Sequence, residues 1–180
     1  REGWNCERDI DPCDDKHNPC MNGRGSCVRV NSVGAGGLNI FHQLPLSNPR
    51  FEDGLYYWNK LPEYAIDGDR TPITDEFIAH SYTDQHPENT FFVDLPSSQT
   101  IVDKVIIYPR QHGQFARYRG LAVRIGDSYC STSLSLDPAT IRANKETGII
   151  FQCNSFMGSM ITVENDNKSL QIAEIVGHTK

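Results

Sequence analysis

Apolar and polar residues alternate most clearly between residues 91 and 125, in three runs separated by turn residues. Phe91-Phe92-Val93-Asp94-Leu95 alternates weakly and ends at Pro96. Val102-Asp103-Lys104-Val105-Ile106-Ile107-Tyr108 is rich in β-branched residues and ends at Pro109, and Leu121-Ala122-Val123-Arg124-Ile125 alternates until Gly126-Asp127. Successive side chains on a strand point to opposite faces, so a period of two predicts half-buried strands here. Further β-rich runs start at Ile149, Met160 and Leu170, and residues 38–46 predict a first strand, after which Ser47, Asn48, Pro49 and Gly54 supply turn residues. Few stretches carry a helical period, whereas turn signals recur. The pattern predicts an all-β fold, a mostly antiparallel β-sandwich.

Two interruptions of this pattern carry candidate function. Residues 109–120, between two predicted strands, gather Arg110, His112, Arg117 and Arg119 among Gln111, Gly113 and Gln114, a concentration of hydrogen-bond donors that reads as a binding rim. The competing reading places Arg110 and Arg117 in structural ion pairs with Asp94 or Asp103. Leu55-Tyr56-Tyr57-Trp58 is the densest aromatic cluster. Large aromatics are usually buried, so core packing is the favoured expectation; the alternatives are an aromatic wall for sugar rings or a hydrophobic spike pressed into a membrane.

A length of 180 residues suits one domain of ordinary size with a small extension. A net charge of -6 argues against a nucleic-acid backbone as partner, while an acidic surface tolerates calcium. No apolar run reaches the roughly 20 residues of a membrane-spanning helix, so membrane contact would be peripheral. Residues 1–4 do not read as a signal peptide, and the chain is expected to be a mature or trimmed form. Self-association into a homo-oligomer is allowed by the sequence and not specified by it.

The cysteines fall into two even-numbered groups, Cys6, Cys13, Cys20 and Cys27 near the start and Cys130 with Cys153 far away, which points to disulfides and a secreted, extracellular protein. Residues 1–30 are too short and polar to bury a core and are expected to be held by their four cysteines, which allow three pairings. Zinc with His17 nearby is the competing use, although zinc ligands usually come in closely spaced pairs. Residues 31–37 are small and uncharged, the composition of a linker, and the main domain is expected over residues 38–180. A Cys130–Cys153 bridge would close a polar excursion and contribute about 3 kcal/mol.

Enzyme chemistry finds little support. Ser81 adjoins His80 without a nucleophile elbow, the pairs Asp14-Asp15 and Asp67/Asp69 lack any cleft signal, and no metalloprotease, phosphate-loop or dinucleotide pattern occurs. Asp67-Gly68-Asp69 places two carboxylates around a tight turn, a hard-oxygen arrangement of the kind calcium prefers. Asn167-Lys168-Ser169 is an N-glycosylation sequon, which makes Asn167 a candidate glycan acceptor on an exposed turn.

These features stand in a telling order: the turn Tyr64-Ala65-Ile66-Asp67-Gly68-Asp69, a later histidine, the strand Val93-Asp94-Leu95, Arg110, Arg117, Ile125-Gly126, the Cys130 and Cys153 pair, and the ending Leu170-Gln171-Ile172-Ala173-Glu174-Ile175-Val176-Gly177. In that order they resemble the F-type lectin (fucolectin) family of the discoidin-like superfamily, over roughly residues 38–178. The resemblance implies a jelly-roll β-sandwich that binds fucose-like terminal sugars on glycans or glycoproteins. It implies a sugar-gripping trio of His80, Arg110 and Arg117, with His86 the competing histidine. It also implies calcium held by Asp67 and Glu174 with the carbonyls of Tyr64, Asp69 and Ala173, and a bridge between Cys130 and Cys153. The sequence departs from the family at several points. Arg110-Gln111-His112 replaces its RxD, Gly113-Gln114 replaces an adjacent cysteine pair, and Arg117-Tyr118-Arg119-Gly120 replaces RxNG. The serine expected before the histidine is absent from residues 76–79, so Phe77 or Ile78 would offer a carbonyl. His112 and Phe115 are added to the expected sugar contacts, Phe115 as the replacement apolar wall. Residues 9–28 are similar to the first half of an EGF-like module, which implies Cys13 paired with Cys27 and leaves Cys6 for Cys20. The alternative to a lectin is a discoidin-like adhesion or matrix module that grips a protein, an acidic polymer or a membrane surface.

Overall fold

The computed structural model describes residues 42–52, 54, 56–70, 77–81, 89–166 and 169–180. The four N-terminal cysteines Cys6, Cys13, Cys20 and Cys27, the linker, Leu55, His86 and the sequon residue Asn167 lie outside the described residues.

Eleven strands are described: β1 (His42–Gln43), β2 (Ser47–Phe51), β3 (Ala79–His80), β4 (Asn89–Asp94), β5 (Thr100–Tyr108), β6 (Ala122–Ile125), β7 (Ser128–Tyr129), β8 (Ile149–Gly158), β9 (Met160–Asn165), β10 (Gln171–Ile172) and β11 (Glu174–Thr179). They form a four-stranded sheet in the order β1-β11-β5-β8, a five-stranded sheet in the order β2-β4-β9-β6-β7 and a two-stranded ribbon β10-β3, and their pairings are antiparallel. Phe91 and Val93 of β4, Val123 and Ile125 of β6, and Ile161 and Val163 of β9 meet Val105 and Ile107 of β5, Ile149 and Phe151 of β8 and Ile175 of β11, all at most 1% exposed. Burying each such side chain contributes about 1.5–3 kcal/mol, which drives the two sheets together.

Cys130, just after β7, is bonded to Cys153 in β8 with Cα atoms 4.3 Å apart, so the disulfide joins the edges of the two sheets. Beside it the β5–β8 register shifts between Val102 and Lys104, where Asn154 and Ser155 take positive φ values of 51° and 65°. Asp103 fixes this bulge: Ser155 Oγ donates to it at 2.8 Å and Lys180 N at 2.6 Å. Burial opposes ionisation of Asp103, yet these hydrogen bonds and the Lys180 charge hold its carboxyl below the usual range.

Two local expectations are corrected. The predicted first strand is described over His42–Gln43, and the turn expected after it contains β2. Pro49 is tolerated because β2 is an edge strand, where a missing N–H costs no ladder bond. Between Cys130 and Cys153, Asp137 and Pro138 start a helix, α1 (Pro138–Ala143); Asp137 Oδ1 accepts from Ala139 N at 2.9 Å and Thr140 N at 3.1 Å, satisfying donors that a helix start leaves open. The aromatic cluster is not core: Tyr56 is 40% exposed and Trp58 78% exposed.

Candidate functional site

The ribbon β3–β10 builds the floor of a cleft at the end of the sandwich where β5 finishes. Its register places Gln171 opposite His80. His80 is 7% exposed and its backbone is held on both sides, with Tyr57 N donating to its carbonyl at 2.9 Å and its own N–H donating to the Lys60 carbonyl at 3.3 Å. Arg110 follows β5, and its N–H donates to the Tyr118 hydroxyl at 2.8 Å. Arg117 comes from the 3-10 turn Phe115–Tyr118, whose carbonyl at Arg117 accepts from Asn165 Nδ2. Gln114, which starts that turn at a positive φ of 53°, is a non-glycine residue held in a sparsely populated conformation at the cleft wall.

Hydrogen-bond logic fixes the state of the histidine. Arg110 Nη1 donates to Gln171 Oε1 at 3.0 Å, which turns Gln171 Nε2 toward His80 Nε2, also at 3.0 Å. Arg117 Nη1 lies 3.3 Å from the same ring nitrogen. Both neighbours are donors, so His80 Nε2 is the acceptor and the proton resides on Nδ1. Burial, followed by the positive charges of Arg117, Arg110 and Lys60, lowers the His80 pKa to about 3. The ring is neutral at physiological pH. Burial and the Arg110 charge also lower the Arg117 pKa, but a guanidinium stays protonated.

His80, Arg110 and Arg117 therefore converge, and they line a cleft of about 280 Å³ whose other walls are Tyr57, Lys60, Ile78, Gln114 and Gln171. That is close to the lower end of the usual range for small-ligand sites, about 300–1,000 Å³, and suits a single ring. The Tyr57 ring lies 5.1 Å from that of His80, with Trp58 a further 6.2 Å from Tyr57. The buried Ser81 hydroxyl is engaged in the frame of the ribbon: it donates to Asn89 Oδ1 at 2.7 Å and accepts from Leu170 N at 2.9 Å. Among the described residues Asp94 pairs with Arg50 and Asp103 with Lys180.

Two expected contacts are displaced. Phe115 is 5% exposed within the core, with the Arg142 guanidinium 5.4 Å above its ring, because the 3-10 turn directs it inward. His112 is exposed in the preceding turn and does not line the cleft. The cleft is lined instead by Lys60 and Gln171, which sequence reasoning missed, and by Tyr57, which it offered only within the alternative reading of the aromatic cluster as a wall for sugar rings. The available signal was the lone polar Gln171 within Leu170-Gln171-Ile172-Ala173. A larger apolar hollow of about 410 Å³ lies beside α1, lined by Pro138, Ala139, Arg142 and Ala143, and converges few polar groups.

The acidic turn lies at the start of β11. Glu174 is 3% exposed and accepts from Gly68 N at 3.1 Å, while Asp69 N donates to Asp67 Oδ1 at 2.8 Å. Burial first, with the charges of Asp67 and Asp69 adding to it against Arg70, raises the Glu174 pKa to about 8. Partial burial and the Asp69 charge raise that of Asp67. A buried carboxylate with acidic neighbours fits a hard cation, and both oxygen-bearing side chains suit calcium. No three His, Cys, Asp or Glu side chains cluster for a metal among the described residues, so a complete shell would need carbonyl oxygens, for which Tyr64, Asp69 and Ala173 are placed on the same segments.

No protein-family model and no curated protein matches the sequence. Solved structures do. A fucose-binding module of Streptococcus pneumoniae is similar over 74% of this chain and 93% of its own, with 16% identity and a TM-score of 0.56. An F-lectin (fucolectin) from the serum of Morone saxatilis, the striped bass, is similar over 74% of this chain at 19% identity and a TM-score of 0.57, and the match spans 45% of that longer chain. The family 32 carbohydrate-binding module of Clostridium perfringens NanJ, solved with galactose, is similar over 78% of this chain and 100% of its own, with 14% identity and a TM-score of 0.54. At such identities the likeness establishes the architecture: this chain has the two-sheet antiparallel β-sandwich of the discoidin-like and F-type lectin fold.

Proposed function

We propose that residues 38–180 form a non-catalytic carbohydrate-binding domain of a secreted protein, which grips one fucose-like terminal sugar of a glycan through His80, Arg110 and Arg117. The observation that carries this reading is the convergence of the two guanidinium groups on a neutral, buried imidazole in a cleft the size of one ring. Sugar hydroxyls are recognised by such charge-assisted donors, and Tyr57 offers an aromatic face for the apolar side of the ring. Structural neighbours named for binding fucose and galactose support the same class of ligand. The Cys130–Cys153 bridge suits an oxidising compartment. Calcium, held by Asp67 and Glu174 with backbone carbonyls, would brace the turn behind the cleft, where it would neutralise the two carboxylates.

Calorimetric titration with L-fucose, galactose and mannose tests the proposal. Binding of fucose by the wild type and its loss in Arg117→Ala is the expected result, because losing charge-assisted hydrogen bonds worth about 1.5–3 kcal/mol reduces affinity about tenfold to a hundredfold or more. Arg119 is exposed and outside the cleft, so Arg119→Ala should bind nearly as well as wild type. The exposure of Tyr56 and Trp58 favours one rival, an adhesion module that docks these aromatics on a protein or membrane surface. No heat with any sugar, together with binding lost on Trp58→Ala to such a surface, would favour the rival.

A further inference from the structure

Trp58 is the most exposed large hydrophobic side chain among the described residues, at 78%. It stands immediately outside the cleft: its ring lies 6.2 Å from that of Tyr57, which lines the cleft and lies 5.1 Å from that of His80. The backbone that carries it is fixed. Lys60 N donates to the Tyr57 carbonyl at 3.0 Å, which closes a four-residue turn with Trp58 at its first central position. Both ends of that turn are tied to one residue, with Tyr57 N donating to the His80 carbonyl at 2.9 Å and His80 N donating to the Lys60 carbonyl at 3.3 Å. A bridge between Tyr56 and Ser81 extends the pairing. Trp58 adopts a φ of 51° in this turn. That left-handed region is open to glycine and tolerated by asparagine, whereas a bulky side chain in it is strained. Burial does not offset the strain, because most of the indole surface faces water. Residues held in such conformations cluster where ligands are gripped, and Gln114, at a φ of 53°, stands on the wall of the same cleft.

We propose, resting on the sugar-binding reading above, that Trp58 determines specificity by stacking on the second ring of a bound glycan, so that a terminal sugar linked to a further ring is selected over the same sugar alone. A cleft of about 280 Å³ is filled by one ring, so the next ring of the glycan lies outside it, at the rim. On the Tyr57 side that rim continues into the exposed indole. A pyranose presents apolar C–H groups on its faces and hydroxyls around its edge, which matches a flat aromatic surface that leaves the edge in water. Because both ends of the turn are bonded to His80, the indole keeps a set position relative to the residue that grips the first ring.

The test is calorimetric titration of the full chain with methyl α-L-fucoside and with disaccharides in which fucose is linked to galactose or to N-acetylglucosamine. An aromatic contact of this kind changes affinity about threefold to tenfold, so at least one disaccharide should bind the wild type that much more tightly than the methyl fucoside does. In Trp58→Asn that advantage should vanish while the affinity for the methyl fucoside is kept. Asparagine suits the left-handed backbone, so this variant should melt no lower than wild type. Fluorescence gives a second readout. Trp4 and Trp58 are the two tryptophans of the chain, so in Trp4→Phe the emission belongs to Trp58 and should shift to shorter wavelength with the disaccharide but not with the methyl fucoside. Disaccharides that bind no more tightly than the methyl fucoside, or an advantage kept in Trp58→Asn, would overturn the proposal and leave the sugar-binding reading intact. A Trp58→Asn variant that melts lower and loses affinity for both kinds of ligand alike would make the indole a structural residue. Vesicles of phosphatidylcholine and phosphatidylserine that bind the wild type but not Trp58→Asn, with sugar affinities unchanged, would assign the indole to a membrane surface instead. No binding of any sugar would overturn both readings.

Discussion

His80 is a histidine that the surrounding residues keep from acting as a base. Its pKa lies at about 3, far below the ordinary 6.5, so the unfolded chain takes up this proton more readily than the folded one. The stability His80 contributes is complete above about pH 6.5 and is lost as the pH falls from there toward about 3. His178, lowered to about 4 by burial and by the Lys104 and Arg70 charges, acts in the same direction. Denaturant melts across this range should show stability falling with acid, and His80→Asn should flatten part of that slope; an unchanged slope would show that the ring is already exposed. Gln171 is the other residue that matters at this scale, because its amide bridges Arg110 to His80. Gln171→Leu removes both partners at once from a residue 1% exposed, and should weaken sugar binding measured by titration although Gln171 need not touch the sugar. Binding equal to wild type would mean that the two side chains hold their positions without it. Neither role was legible beforehand, since His80 and Gln171 are 91 residues apart in the chain and meet through strand pairing alone.

At the scale of elements, the alternating runs behave as local physics requires. β4 buries Asn89, Phe91 and Val93 and turns Thr90, Phe92 and Asp94 outward, and β8 buries Ile149, Phe151 and Cys153 in the same way. Such strands are readable because a period of two is written in consecutive residues. The edge elements were harder. β2 carries Pro49 and reads as a turn, yet Arg50 Nη1 bonds Asp94 at 2.9 Å and the Phe51 ring meets Phe91 edge-on at 5.0 Å, so long-range partners decide its conformation. The bridge between Cys130 and Cys153 holds together the sheet edges that β7 and β8 form. Replacing both cysteines by serine should cost about 3 kcal/mol, as expected for a closed loop of this size, and lower the melting temperature. Asp137→Ala, which removes the cap of α1, should lower it less. Equal melting of wild type and the double-serine variant would show that packing alone holds these edges.

The whole molecule is where the metal question belongs, because the acidic turn and the last strand are brought together by the fold: Gly68 and Glu174 are 106 positions apart. A cation bound to the folded state alone, present at 100 times its dissociation constant, adds about 2.7 kcal/mol. Calcium should therefore raise the melting temperature and a chelator lower it, and Glu174→Gln should remove most of that difference; identical melting in calcium and chelator would rule the site out. By itself, the sequence determined the all-β class, the principal strands and the pair Cys130 and Cys153, and its resemblance to F-type lectins pointed to His80, Arg110 and Arg117. Alternation, β-branching and turn residues are local signals, and short ordered motifs survive without knowledge of the fold. Only the tertiary structure decided that Phe115 belongs to the core, that the aromatics at Tyr56 and Trp58 are exposed, and that Lys60, Tyr57 and Gln171 complete the cleft. The reason is physical: which face of a turn is buried, and which distant side chains share one hydrogen-bond network, depend on how strands from opposite ends of the chain pair and pack, and nothing in neighbouring residues encodes that.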